Sequence, residues 1–110
     1  MRTGNELRLC SAVHDDDVIT LVRDYVAAWP PEDLALLPPD CRPGRFVDAF
    51  DVNQFAFFLT RHRFEAESQP YFAMLTEMEA FFAQAATRLA QLQLYAMREI
   101  SEPRQTAPHP

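Results

Sequence analysis

The chain has 110 residues, 48% of them hydrophobic, with nine phenylalanines, three tyrosines, one tryptophan and a net charge of −6. That is enough apolar material for one small aromatic-rich core and too little chain for two domains. The acidic balance makes nucleic-acid binding by bulk charge unlikely, and Gly4 and Gly44 alone cannot build a glycine-rich phosphate or dinucleotide cradle. No apolar run reaches the eighteen or so residues of a membrane-spanning helix, so no membrane partner is expected.

Residues 1–13 show little periodicity and read as a flexible N-terminus. The apolar stretch from Leu7 to Val13 is short and broken by Arg8, which makes it a poor secretory signal. Cys10 and Cys41 are too few for a disulfide framework. Reduced thiols in the cytoplasm are the expectation.

A single helical domain is expected over residues 14–100. Its first helix runs from Asp16 or Asp17 to Trp29, with Val18, Val22, Tyr25 and Trp29 recurring at spacings of four, three and four. Three aspartates at its entrance complement the positive end of the helix dipole, and Pro30-Pro31 stops it. Pro31-Glu32-Asp33 suits a short helical turn. The segment Pro38 to Gly44, with three prolines, is an extended or turning connection.

A second helix is predicted from Asp51 to Phe64, capped by Asp48 or Asp51. Val52, Phe55, Leu59 and His62 share one face, and Phe50, Phe57 and Phe64 share another at intervals of seven. A helix apolar on several sides is buried between neighbours or pressed against a partner. Ser68 is the expected cap of the last helix, with Pro70 in its first turn. From there to Ile100 the chain has no further proline or glycine. Tyr71, Leu75, Met78, Phe82, Ala85, Leu89, Leu92 and Ala96 alternate at spacings of four and three, which makes one continuous seam. Residues 101–110 read as a disordered tail.

The resulting fold class is all-α: a small bundle of two medium helices, a short helical turn and one long C-terminal helix, expected to be dimeric. The last helix is longer than the roughly 30–35 Å globule expected for a chain of this size. It therefore breaks near Gln91, projects, or is covered by a second chain. The first two helices can cover its seam from Tyr71 to Ala85, with nothing evident left for the remainder. Leu89, Leu92, Tyr95, Ala96 and Ile100 are accordingly the expected interface of a homodimer or of another protein partner.

Charge is unevenly placed. Residues 14–40 hold seven acidic groups against Arg23 alone, whereas Arg42, Arg45, Arg61 and Arg63 outnumber Asp48 and Asp51 in residues 41–64. All ten basic residues are arginine. Arg42, Arg45, Arg61, His62 and Arg63 thus form a candidate anion-binding patch, with His62 a proton carrier in that reading. Cationic residues also suit a helix C-terminus without any ligand. Cys41 with His62 has the residue types of a thiolate nucleophile, but nothing in the sequence sets their distance. His14-Asp15-Asp16-Asp17 has metal-ligating side chains, yet consecutive residues diverge on a helix and cannot easily converge on one ion. No catalytic set, metal site or cofactor is assigned. The function read from the sequence is a non-enzymatic protein–protein interaction module of the adaptor, chaperone-like or inhibitor kind. The alternative is a small-molecule or anion-binding domain, an enzyme included, built on the Arg/His patch.

Overall fold

The computed structural model describes residues 8–106, with the backbone alone described at residue 40 and residues 99–106. The all-α class is observed, with no strand among these residues. Helix α1 is described over residues 8–11. It is followed by α2 (Asp15–Ala28), α3 (Pro31–Leu34), a 3-10 turn at Pro39–Cys41, α4 (Ala49–Glu65) and α5 (Phe72–Thr106).

The helix ends follow local chemistry. At the start of α2 the Asp17 carboxylate reaches back to accept from the backbone amides of His14 (3.1 Å) and Val13 (3.3 Å), satisfying donors that have no partner inside the helix. At α4 the exchange is reciprocal. Asp48 Oδ1 accepts from the Asp51 amide at 3.1 Å, and Asp51 Oδ2 accepts from Val47 at 2.8 Å and Asp48 at 3.3 Å. Asp48 is therefore the cap, and α4 begins two residues before the expected Asp51.

The start of α5 differs from expectation. Ser68 lies in a turn, not at a helix cap, and Pro70 precedes the helix. The turn is closed by hydrogen bonds from Gln69 to Ala66 (2.8 Å) and from Phe72 to Gln69 (3.1 Å), and the Tyr71 carbonyl accepts the first helical bond from Leu75. A proline amide cannot donate, so the chain completes this turn before the helical ladder starts. At the other end α5 passes Ile100 and Pro103 and continues to Thr106. The boundary expected at Ile100 thus falls inside the helix, and residues 107–110 lie outside the described residues.

α5 is unbroken at Gln91. Its 35 residues span roughly 52 Å, and the longest dimension of the molecule is 64 Å. The radius of gyration is 16.9 Å, against about 13 Å for a spherical domain of this length. Among the described residues every side chain from Gln93 to Arg98 is exposed, so this end of the helix projects.

The body is built on the α5 seam. Leu75, Met78, Phe82, Ala85 and Leu89 are fully buried and Leu92 nearly so. α4 packs along this seam and α2 lies across both helices. Phe82 is the centre. Its ring lies 5.0 Å from Phe55 of α4, 5.4 Å from Phe46 of the preceding connection, 6.2 Å from Tyr25 of α2 and 5.6 Å from its neighbour Phe81. Tyr25 also stacks on Phe81 at 3.9 Å. The connection is pinned by Arg23, whose Nε donates to the Phe46 carbonyl at 2.7 Å.

The second half of the seam, Leu89 and Leu92, is buried in one apolar cluster with two N-terminal residues. Leu9 and Ala12 are buried at 2% and 5% exposure, and Leu9 and Cys10 lie beside Ala83, Thr87 and Gln91 of α5. The Arg88 guanidinium donates to the Ala12 carbonyl through Nε (3.1 Å) and Nη2 (2.6 Å). Residues 8–12 are therefore packed, in place of the flexible segment expected there. Two buried apolar residues carried on about one turn are too few to show periodicity, and only the folded chain brings them to the core.

Two stability measurements follow. Phe82→Ala is expected to cost about 3–5 kcal/mol, the range for emptying a fully buried aromatic site, read as a loss of urea midpoint with unchanged slope. Leu9→Ala should cost about 2–3 kcal/mol; a loss below about 0.5 kcal/mol, typical of an unpacked surface position, is what a flexible N-terminus requires.

Candidate functional site

The expected α5 interface is only partly available. Leu89 and Leu92 are buried by the chain itself, in the same apolar cluster as Leu9 and Ala12. Tyr95 is 52% exposed and Ala96 is exposed, joined by Leu94 and Met97 on the projecting end. The side chain of Ile100 lies outside the described residues.

The arginines and histidine are not gathered into one pocket. Arg42 donates from Nε to the Leu37 carbonyl and from Nη2 to the Ala35 carbonyl, both at 2.9 Å, so it ties together the connection between α3 and α4. Arg63 reaches Glu79 of α5, Nη1 to Oε1 at 3.8 Å, and its guanidinium carbon sits 5.6 Å from the Phe64 ring. Thr60 completes this clasp, donating to Glu79 Oε2 at 3.1 Å. The His62 ring meets Phe58 edge-on at 4.4 Å, and its Nδ1 lies 3.7 Å from Glu65 Oε2. Arg61 is exposed on α4. Arg45 precedes α4, and the rise from Ala49 to Arg61 is about 18 Å of helix axis. Arg45 and Arg61 are therefore at opposite ends of α4. Cys41 is buried at 3% exposure, closed to solvent as a nucleophile, and Cys10 is exposed. No group of three or more His, Cys, Asp or Glu able to hold a metal occurs among the described residues.

The feature that stands out lies on the outer face of α4. Phe50, Phe57 and Phe64 are exposed at 65%, 68% and 70%. Seven residues fall about 20° short of two full turns, so the three rings form a nearly straight stripe along the helix. The opposite face carries Val52, Phe55, Ala56 and Leu59 into the core. α4 thus has two apolar faces, and its own chain covers one.

The stripe is flanked by a groove of about 520 Å³ lined by Gly44, Arg45, Phe46, Asp51, Gln54 and Phe58 beside Phe50 and Phe57. Asn53, Gln54, Thr60 and Arg61, the helical neighbours of Phe57 three and four residues away, are all exposed. Those four polar residues were the available signal that this phenylalanine face points outward. Phe55 is different, being followed at the same distances by Phe58 and Leu59.

No protein-family model, curated protein or solved structure matches this chain. Among the described residues no helix is long and apolar enough to cross a membrane.

The dispersal of the arginines has a measurable consequence. Arg42→Ala should lower stability by about 1 kcal/mol, through two lost bonds to backbone carbonyls. Arg61→Ala should leave it within about 0.5 kcal/mol of the parent, both measured by urea denaturation. Equal losses would contradict the separate roles assigned to these two residues.

Proposed function

We propose that this protein is a non-enzymatic protein–protein interaction module, of the adaptor, chaperone-like or inhibitor kind, acting through its helical surfaces in the cytoplasm. The observation that carries the reading is the stripe of Phe50, Phe57 and Phe64, three large rings more than 60% exposed on one face of a well-capped helix. Single exposed apolar residues are ordinary, whereas an aligned set rimmed by polar residues has the composition of an interface centre. Aromatic anchors surrounded by polar groups are also the usual carriers of binding energy.

A folded scaffold is needed for such a surface, and the buried face of α4 supplies it. The stripe's rings lie outside the chain's buried cluster, so their replacement separates binding from folding. Leu94, Tyr95 and Met97 on the projecting end of α5 form a smaller exposed apolar set, and a partner reaching both surfaces would contact two helices.

The test is proximity labelling in cells with the intact chain and with a Phe57→Glu, Phe64→Glu variant, alongside thermal melts of both proteins. The expected result is a melting temperature within a few degrees of the parent and loss of a reproducible set of neighbours, including other copies of this chain. An unchanged set of neighbours, with the fold intact, would remove α4's outer face as the functional surface.

A further inference from the structure

We propose that the phenylalanine stripe of α4 docks on the same stripe of a second copy, with the two helices antiparallel and Phe57 on the twofold axis. This rests on the interaction reading above and names its partner. The first argument is the spacing. Phe50 and Phe64 stand seven residues to either side of Phe57, so a twofold through Phe57 brings Phe50 level with the second copy's Phe64 and each Phe57 against its equivalent. An isologous contact needs such self-complementarity, in which residue i meets j and j meets i.

The second argument is charge. Gln54 and Arg61, also seven apart, run along one edge of the stripe, and Arg45 and Asp51 line the groove on that edge. In the antiparallel arrangement this edge meets its own copy in the reverse direction. Each Arg61 then comes within one residue's rise, about 1.5 Å, of the second copy's Gln54, next to Asp51, and each Glu65 comes to the end where the second copy's Arg45 lies. No intrachain hydrogen bond or ion pair of Arg61 or Arg45 is seen among the described residues, and both are exposed. A parallel arrangement instead sets this edge against Asn53 and Thr60, whose hydroxyl and neighbouring Glu79 are already engaged within the chain, and aligns the helix dipoles the same way.

The area is adequate for a reversible dimer. Exposed at 65–70%, the six rings of two copies carry on the order of 800 Å² of accessible surface. The side-chain stems of Gln54 and Arg61, which flank the stripe, widen the contact toward the roughly 1,200–2,000 Å² of a specific interface.

Sedimentation velocity and disulfide trapping test this on the full chain. The protein should sediment as a dimer at about 100 µM and dissociate on dilution into the low micromolar range. Phe57→Glu should be monomeric with the parent's helical circular dichroism, while Met97→Glu on the projecting helix should remain dimeric. In a Cys10→Ser background, a mixture of Phe50→Cys and Phe64→Cys chains oxidised with copper-phenanthroline should give mainly the mixed 50–64 crosslink. Arg45→Glu should weaken the dimer by about three- to fivefold, the scale of an exposed ion pair, and Glu65→Arg in the same chain should restore it. A monomer at 100 µM, a Phe57→Glu dimer, or predominant 50–50 and 64–64 crosslinks would overturn the proposal. A monomer whose other neighbours still depend on Phe57 and Phe64 would overturn the self-docking and leave the interaction reading standing. Loss of neither self-association nor neighbours in the Glu variants would overturn both.

Discussion

Burial of the α5 seam around Phe82 is the constraint on which the rest of the molecule depends. An amphipathic helix of this length gains little from propensity alone, and its stability comes from covering its apolar stripe. α2, the connection carrying Phe46 and α4 each bring an aromatic ring to Phe82. Removing that centre separates three segments at once. The edge-to-face and tilted arrangements of these rings fix their relative rotation more tightly than aliphatic packing does.

The same constraint decides what is left outside. Once Val52, Phe55 and Leu59 turn toward Phe82 and the seam, the helical period places Phe57 on the opposite side of α4. The exposed stripe is thus a consequence of which α4 face the core took. Polar residues confirm that orientation locally: Thr60 and Arg63 clasp Glu79 of α5 at one edge, and Asn53, Gln54 and Arg61 surround the phenylalanines on the open side. α4 is held from one face and offers the other.

At the far end of the molecule, a short N-terminal segment completes the core. Leu9 and Ala12 join the buried cluster that holds Leu89 and Leu92, and the Arg88 fork on the Ala12 carbonyl satisfies a backbone acceptor that the end of the turn leaves unpaired. Past Leu92 the cover ends and α5 projects. The burial of Leu89 and Leu92 therefore moves the apolar surface available to a partner from the middle of α5 to its tip and, more substantially, to α4.

Much was legible in the residue pattern because it depends on local rules. The alternating spacing of four and three from Leu75 to Leu92 identifies a helical seam, the two carboxylates Asp48 and Asp51 bring the start of α4 to within a turn, and the proline pairs identify the breaks on either side of α3. All of these act within a few turns of chain. Residues 8–12 were not legible, since one turn carries no period and their burial arises from contacts some 76 residues away in sequence, as between Ala12 and Arg88. Nor could the spacing of Phe50, Phe57 and Phe64 alone say whether that face was core or surface. A helix with two apolar faces can bury either, and only the competition of whole elements for the α5 seam settles which. The sequence by itself determined an all-helical chain with a seam and a second apolar stripe; the tertiary structure decided that Leu9 and Ala12 join the core and that the stripe is the face left open.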